Sequence, residues 1–278
     1  MLGTVATIAQ NFYYTPPLPA FREPWNLSVA GKALWTGWLA YPAEPPKALV
    51  VVCHGLGGDA EGPQVRRVAA HLLKSRYAVM AWNGRGMLDS ESYDGQTHHA
   101  GRCDDLEIIL TQARDRYPHV KLAAVGISLG GHIVLRHSLL YPYRMPRLAI
   151  CAPLNLKEAA LGLDRHPFFR RFYVRGLMRR YPCHVQSIVD FDEKIVAPAN
   201  GFSSAFDYYE KMSVYPCRHE LPDHVRGLVG CNDPVVPSQQ WIDMPNVTWQ
   251  SGGHLGQGFP GRLSWPVWVV QMLTLLLA

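Results

Sequence analysis

The six residues Gly-Ile-Ser-Leu-Gly-Gly at positions 126–131 constrain the fold of this chain more than any other segment. They lie between an apolar run at 121–125, which predicts a strand, and a segment at 131–137 that predicts a helix. A tight turn between a strand and a helix has room only for small residues beside its apex, so the pattern predicts a nucleophile elbow with Ser128 at the apex. The alternative is an ordinary glycine-rich turn, and partners for Ser128 further along the chain decide between the two.

Strand and helix patterns alternate on both sides of this elbow. The run at 48–53 is continuously apolar, which is typical of a strand buried on both faces. Further strands are predicted near 27–29 and at 34–39, 77–82, 148–151, 225–229 and 247–249, and helices at 63–75, 104–116 and 263–278. Such alternation predicts an α/β fold, in which a mostly parallel central sheet carries helices on both faces.

The alternation is interrupted twice, which divides the chain into three parts. Residues 1–25 are rich in proline and aromatic residues and predict an irregular N-terminal arm lying over the domain. Residues 26–156 and 224–278 form the predicted core. Residues 157–223 contain no convincing buried strand, and a long insertion between two core strands predicts a helical lid.

Composition narrows the class of protein. The 278 residues have a formal charge of +5 and no basic motif, so we expect no nucleic-acid partner.

The six cysteines lack C-x-x-C spacing, and three of them are expected to be buried as small apolar side chains: Cys53, Cys151 and Cys231. No leader or spanning segment is evident, which together with the cysteines favours a cytoplasmic location. The apolar C-terminal stretch predicts a buried last helix, with membrane-surface contact as the alternative.

Two later strands end in residues that fit the partners Ser128 needs. Asp233 follows the strand at 225–229, and His254 follows the strand at 247–249 in the run Ser-Gly-Gly-His. Catalytic groups collect at the carboxyl ends of parallel strands, and the chain order Ser, Asp, His is that of one large hydrolase fold. We therefore predict that His254 takes the proton of Ser128 and that Asp233 orients the imidazole. Taken alone, Asp233 would be interpreted as an ordinary turn residue before a proline, and His254 as an ordinary loop histidine.

An ester-cleaving site also needs two N–H donors for the oxyanion. The residue after the nucleophile, Leu129, is expected to supply one. The glycine-rich loop His-Gly-Leu-Gly-Gly at 54–58 is expected to supply the other from Leu56, while His54 pins the loop. The loop matches neither phosphate-binding pattern, so we expect no nucleotide cofactor.

Four potential metal ligands lie close together in sequence: His98, His99, Asp104 and Asp105. These residues occupy a loop and a helix start, and no third ligand follows at a metal-binding spacing. A hydrogen-bonded corner is the preferred interpretation, and no metal is expected. His132 and His137 are expected to be packing or solvent residues on the helix after Ser128.

Several of these segments resemble the α/β-hydrolase superfamily and, within it, the YheT-like branch of predicted esterases and lipases. The resemblance covers roughly residues 48–270. The segment at 54–58 resembles the HGFGG oxyanion loop of that branch, and the elbow with the residue after it resembles its GFSLGGN sequence. Further resemblances lie at 83–86 (NFRG), at 99–106 (YHSG…DDL), at 233–234 (DDPF), at 252–256 (GGHVGF) and in the lid at 190–192, 197–198, 201–202 and 207–209.

The resemblance implies an α/β-hydrolase fold and a triad of Ser128, Asp233 and His254. The chain departs from the branch at Gly84, where an aromatic residue is usual, and at His132, where asparagine is usual. Both positions flank the expected pocket and bear on substrate preference.

The lid contains aromatic residues at 168, 169, 172 and 173 and arginines at 165, 170, 171, 175, 179 and 180. Some of its apolar residues are expected to line an acyl pocket, and its cationic rim could contact a lipid surface. The alternative is an amphipathic helix whose arginines are simply solvated.

The leading hypothesis for the function is a serine carboxylic-ester hydrolase acting on a small acyl ester through an acyl-enzyme. An acyltransferase with the same nucleophile and a non-catalytic binding protein are the alternatives.

Overall fold

In a computed structural model of the protein, one eight-stranded sheet forms the centre of the molecule. The structure describes residues 2–9, 14–29, 31–88, 90, 95–256 and 264–278. The strands are β1 (Arg22–Val29), β2 (Lys32–Ala40), β3 (Leu49–Cys53), β4 (Ala78–Asn83), β5 (Leu122–Ile127), β6 (Arg147–Ile150), β7 (Val225–Gly230) and β8 (Val247–Gln250). Their order is β1-β2-β4-β3-β5-β6-β7-β8. The pairs β1–β2 and β2–β4 are antiparallel, and all pairs from β4 to β8 are parallel.

Helices cover both faces of the sheet. The helices are α1 (Leu2–Ala9), α2 (Pro63–Lys74), α3 (Cys103–Arg116), α4 (Leu129–Leu140), α5 (Leu156–Arg165), α6 (Pro167–Arg180), α7 (Ile188–Phe191), α8 (Ala197–Ala199), α9 (Ala205–Met212) and α10 (Trp265–Leu277). Alternate residues of β3 point to opposite faces: Val50 and Val52 pack with α2 and α10, whereas Val51 packs with α3 and α4. This two-sided burial explains why β3 reads as an uninterrupted apolar run.

The N-terminal segment differs from the irregular arm that its sequence predicts. Residues 2–9 form α1, and β1 begins at Arg22, earlier than the strand predicted near 27–29. Proline at 16, 17 and 19 falls between these two elements, in irregular chain. The part of the predicted arm at residues 1 and 10–13 lies outside the described residues, as does Leu263 of the predicted last helix.

The long segment between β6 and β7 consists mainly of helices. Residues 151–224, all of them described, hold α5 to α9, a π-helix at Asp192–Val196 and a 3₁₀-helix at Tyr215–Glu220. Their apolar side chains form a cluster with Leu56 and Leu129, which come from the loop after β3 and from the start of α4. The insertion therefore lies over the carboxyl ends of β3 and β5.

None of the six cysteines, all of which lie in the described part of the chain, forms a disulfide bond, and Cys53 and Cys151 are buried as predicted. Cys231 is exposed, so the prediction of its burial is wrong. β7 ends at Gly230, and Cys231 is the first residue of the turn that follows, where the side chain no longer alternates into the core.

Candidate active site

Ser128 occupies a strained position between β5 and α4. Its backbone has φ 54° and ψ −116°, and α4 begins at the next residue. The left-handed region is unfavourable for a residue with a side chain, so the surrounding structure must hold it there. The Ser128 N–H donates to Ile150 O at 2.8 Å. A Cβ on Gly126 would overlap Gly130, and a Cβ on Gly130 would overlap the Cys53 and His54 carbonyls, which explains the glycines of the elbow.

The structure brings the three predicted partners together. His254 Nε2 lies 3.0 Å from Ser128 Oγ, and His254 Nδ1 lies 2.8 Å from Asp233 Oδ2. The side chains of His254 and Asp233 are buried, whereas Ser128 is partly open. An imidazole held between a hydroxyl and a carboxylate can accept the hydroxyl proton while the carboxylate stabilises the imidazolium.

The Asp233 carboxylate is fixed by the turn that contains it. Its Oδ1 accepts the N–H groups of Val235 and Val236, each at 2.8 Å, which leaves Oδ2 for His254. Pro234 has no N–H and fixes the start of this turn after β7. The two oxygens therefore have separate partners.

The helix α1 supports both loops, and sequence reasoning missed it. The His254 N–H donates to Thr7 Oγ1 at 2.8 Å, and Thr7 Oγ1 donates to Gly3 O at 2.8 Å. A Cβ on Gly3 would overlap Asn232, beside Asp233, and a Cβ on Gly253 would overlap Gly3 and Thr7. These close approaches couple α1 to the loops carrying Asp233 and His254.

We expect Thr7→Val to lower kcat/KM on an acyl ester by about tenfold, because it removes the hydroxyl that accepts the buried His254 N–H. Thr4→Val, on the same helix, is the matched control. Measuring both variants alongside the wild type by initial rates tests this support. Equal rates for the two variants would show that the Thr7 hydroxyl does not position His254.

The loop after β3 forms a tight turn next to Ser128. Gly58 N–H donates to Gly55 O at 3.0 Å, and Gly57 has φ 64°, which a turn of this type requires at its third residue. Among the described residues, the N–H groups of Leu56 and Leu129 have no acceptor, and both residues line the same cavity as Ser128. His54 Nδ1 contacts Gly55 O at 2.9 Å, consistent with its expected role in pinning the loop.

Ser128 lies where two cavities meet. The first has a volume of about 90 Å³ and extends beneath the insertion, where its lining includes Leu163, Leu177 and Asp192. The second has a volume of about 300 Å³, and its lining includes His254, Phe168 and Phe172. We call these the insertion cavity and the His254 cavity. Leu56, Gly57 and Ser128 line both.

The insertion cavity is mainly apolar, but besides tyrosines its lining includes two histidines and a carboxyl group: His98, His99 and Asp192. Burial lowers the pKa of His99 to about 3, assisted by the Arg102 charge, so the ring is neutral. Burial also lowers the pKa of His98. Burial raises the pKa of the Asp192 carboxyl to about 7, although the Tyr209 hydroxyl, which donates to it at 2.6 Å, acts in the opposite direction.

The raised pKa of Asp192 predicts a specific pH dependence of stability. Between pH 3.8 and about 7 the carboxyl is protonated in the folded state and ionised in the unfolded state. The folded state then holds the extra proton, so this group makes the free energy of unfolding fall as pH rises through that range. For Asp192→Asn we expect the stability relative to wild type to increase with pH, by up to about 1.4 kcal/mol per unit.

Urea unfolding at pH 5, 6, 7 and 8 measures this difference. Asp115→Asn, on the exposed side of α3, is the control and should follow the wild type at every pH. Curves for Asp192→Asn that stay parallel to the wild-type curve would contradict the assignment.

Two of the four residues considered as metal ligands, Asp105 and His99, have other partners. Asp105 accepts from Arg85 Nε at 2.9 Å, and His99 Nδ1 accepts the Gly101 N–H at 3.0 Å. Within the described ranges, the group of potential ligands that lies closest together is Cys151, Asp233 and His254, with ligand atoms within 4.8 Å of one another. Two of these three are already bonded to each other in the Ser–His–Asp chain, so the donor set does not favour a metal.

His132, one of the two departures from the resembled branch, is buried. Its Nδ1 lies 2.7 Å from Pro153 O and its Nε2 lies 2.9 Å from Met212 O. It thus joins α4 to the end of α9 in the insertion, which agrees with a packing role.

No described helix is both long and apolar enough to cross a bilayer.

Comparisons with known proteins find several similar chains. A family model described as serine aminopeptidase, S33, matches residues 44–185, about half of the chain. The embryogenesis-associated protein EMB8 of Picea glauca is 26% identical over 265 residues, which cover 84% of this chain and 57% of that protein. The putative esterase YheT of Escherichia coli is 25% identical over 252 residues, covering 79% and 73%. The chain therefore spans little more than half of the first of these relatives.

The fold recurs in solved structures. The esterase Pf2001 of Pyrococcus furiosus superposes with a TM-score of 0.67 at 16% identity, covering 92% of this chain and 91% of that one. At this identity the likeness concerns the fold, and it agrees with the α/β-hydrolase architecture predicted from the sequence. Because the family model matches half of its length, this chain belongs to the serine aminopeptidase S33 family of α/β-hydrolases.

Proposed function

We propose that this protein is a serine hydrolase that cleaves carboxylic acyl esters through an acyl-enzyme. The observation that carries the proposal is the continuous chain from Ser128 Oγ through His254 to Asp233, with contacts of 3.0 and 2.8 Å. The named function of one relative, a putative esterase, supports the same reaction class.

The mechanism follows from the positions of these groups. As Ser128 Oγ attacks the ester carbon, His254 Nε2 takes its proton and the carbonyl oxygen becomes an oxyanion. The N–H groups of Leu56 and Leu129 donate to that oxyanion. His254 then returns the proton to the departing alkoxide, which leaves as the alcohol, and the acyl group stays on Ser128. A water molecule, deprotonated by His254, releases the carboxylic acid and restores Ser128.

In this proposal the two cavities hold different parts of the substrate. His254 must protonate the alkoxide as it leaves, so the alcohol part has to lie on the side of His254. Only one of the two cavities is lined by that residue, the His254 cavity. The acyl chain then enters the insertion cavity beneath residues 157–223, which act as the lid proposed from the sequence. The lid is tied to the oxyanion loop by Arg180, which binds Asp59 at 2.6 Å.

A fluorophosphonate probe tests the nucleophile, because it phosphonylates only an activated serine. We expect covalent labelling that maps to Ser128 by peptide mass spectrometry, together with release of p-nitrophenol from acyl esters of two to twelve carbons. Absence of labelling in a folded protein would favour the non-catalytic alternative. Product analysis in the presence of added alcohol separates hydrolysis from acyl transfer, since only the transferase yields a new ester.

We also propose that α6 contacts an anionic lipid surface. Phe168 and Phe172 are one helical turn apart and 53% and 58% exposed, which is unusual for side chains of this size. The helix carries five arginines and no acidic residue, and both phenylalanines line the His254 cavity. An apolar pair among cationic side chains is the pattern of a segment lying at a membrane interface.

Co-sedimentation with vesicles tests this surface. We expect binding to phosphatidylglycerol vesicles and not to phosphatidylcholine vesicles, weakened about tenfold by the double change Phe168→Ser and Phe172→Ser. Phe21→Ser alters an exposed phenylalanine outside α6 and is the control. Equal binding by the double variant and the control would refute the assignment of this surface to lipid.

A further inference from the structure

Asp192 is a buried carboxyl group of the insertion that keeps one oxygen unpaired. Its Oδ2 accepts the Tyr209 hydroxyl at 2.6 Å, whereas Oδ1 has no hydrogen-bond partner within the described part of the chain. The residue is 8% exposed and lines the insertion cavity together with Ser128. Protein atoms do not enclose Oδ1 completely, so its accessible surface opens into that cavity. A buried polar oxygen without a protein partner needs an explanation, and a bound ligand can supply one.

The backbone that carries Asp192 is a single turn of π-helix at Asp192–Val196. Such turns are rare and occur frequently at functional sites. The turn is tied to α9 by Glu193, whose Oε2 accepts the Ala205 N–H at 2.7 Å. Phe191, just before the turn, and Val196, at its end, line the same cavity as Asp192. The π-helix therefore presents one carboxyl group between apolar side chains.

The unpaired oxygen of Asp192 is a hydrogen-bond donor below neutral pH. Burial raises the pKa of this carboxyl to about 7. Burial and the nearby Asp192 charge raise the pKa of the Tyr209 hydroxyl, which therefore keeps its proton and donates it to Oδ2. Since Tyr209 supplies the proton at Oδ2, the proton of the neutral carboxyl lies on Oδ1. The cavity is thus lined by an O–H group that has no acceptor in the described protein.

No cation compensates the ionised form of Asp192 within the cavity. Among the described residues that line it, none is a lysine or an arginine. Burial lowers the pKa of both lining histidines, so they add no charge. The titratable groups on the elements around Asp192 are Tyr208 and Tyr209 of α9, Asp164 of α5, Tyr181 after α6, and His98 and His99 before α3.

We propose that Asp192 donates a hydrogen bond to a carbonyl oxygen in the acyl chain, so that the protein prefers esters of oxo acids. The mostly apolar walls of the cavity suit the remainder of such a chain. This inference rests on the proposed ester hydrolysis, since it assigns the acyl part of the substrate to the insertion cavity.

A carbonyl group fits this site better than a hydroxyl group does. A carbonyl oxygen accepts from Oδ1 and brings no donor of its own. A hydroxyl could also accept, but its own proton would then face mostly apolar walls, which is unfavourable. The two histidines do not accept it: protein atoms enclose both nitrogens of His98, and His99 Nδ1 already accepts the Gly101 N–H.

The test compares esters that differ only by a ketone group. The kcat/KM values of ethyl hexanoate, ethyl 4-oxohexanoate and ethyl 5-oxohexanoate are measured by ethanol release from pH 5.5 to 8.5. We define the oxo preference as the ratio of kcat/KM for the better oxo ester to that for ethyl hexanoate. For wild type it is expected to fall about tenfold as pH rises through about 7, because the ionised carboxyl of Asp192 no longer donates. Protonation of His254 affects all three esters alike and cancels in this ratio.

Two variants separate the donor from the charge. In Asp192→Asn the Tyr209 hydroxyl holds the amide oxygen at the position of Oδ2, so the NH₂ group takes that of Oδ1. This variant is expected to keep the oxo preference at every pH, because an amide does not lose its donor. Asp192→Leu removes the donor and is expected to lower the oxo preference at pH 6 about tenfold. Asp115→Leu, on the exposed side of α3, is the control and should match wild type.

The outcomes distinguish this inference from the proposed function. An oxo preference that is equal in wild type and Asp192→Leu, with all esters cleaved, overturns the role of Asp192 while the hydrolase remains. An oxo preference of wild type that does not change with pH overturns it as well, even if Asp192→Leu fails to fold. A uniform loss on every ester in both variants makes Asp192 a structural support of the insertion and also overturns the inference. Wild type that cleaves no ester refutes the proposed function and, with it, the inference that rests on it.

Discussion

Ser128→Ala is expected to reduce kcat for p-nitrophenyl butyrate by about 10⁴-fold or more, because no other group can form the acyl-enzyme. The change should leave the fold intact. Alanine keeps the Cβ that serine already carries at φ 54°, so the strain of the elbow is the same. The backbone bond from residue 128 to Ile150 O is also retained, and among the described residues the side-chain bond that is lost is that to His254.

The control for this variant lies on α4, the helix that follows Ser128. Ser138 is buried in α4, and its Oγ donates to Leu135 O within the helix at 2.7 Å. Ser138→Ala therefore removes a serine hydroxyl from the neighbouring helix without touching the site, and it should keep its activity. Circular dichroism spectra and thermal unfolding should coincide for the wild type and Ser128→Ala. A rate for Ser128→Ala within tenfold of wild type would rule out Ser128 as the nucleophile.

The sequence predicted those parts of the site that depend on strand ends. Parallel strands bring their carboxyl ends to one edge, so a serine, an aspartate and a histidine that each follow a strand meet there whatever the intervening chain does. The helix boundaries were predictable for a similar reason: the helix expected at 63–75 is observed at Pro63–Lys74, because its apolar side chains recur on one face. Local pattern was sufficient in both cases.

What the sequence could not predict depends on contacts between distant segments. The residues of α1 are uncharged, and nothing in them indicates that Thr7 meets His254, 247 positions later. A signal was present only in the glycines at 3, 253 and 256, whose meaning requires knowing which backbone approaches them. His98 is a second case, because its close contact with Gly84 cannot be recognised from the sequence.

The aspartate of the Ser–His–Asp chain gives the second large effect. Asp233→Asn is expected to lower kcat near neutral pH by about 10⁴-fold, as loss of the carboxylate leaves the imidazole in the wrong tautomer. The structure fixes how the new amide must sit. Val235 and Val236 both donate N–H groups to Oδ1, so the amide oxygen takes that position and the NH₂ group takes the position of Oδ2.

In that orientation the amide donates to His254 Nδ1, which must then be the unprotonated nitrogen of the ring. The ring proton lies on Nε2, 3.0 Å from Ser128 Oγ, and Nε2 can no longer accept the hydroxyl proton. Asp223→Asn, an exposed change in the loop before β7, is the matched control and should be fully active. Because both bonds to the valine N–H groups survive, Asp233→Asn should also unfold at the same temperature as wild type. If Asp233→Asn is stable and slow, the defect lies in the imidazole tautomer, whereas a stable and fast variant would show that the Asp233 charge is not needed for proton transfer.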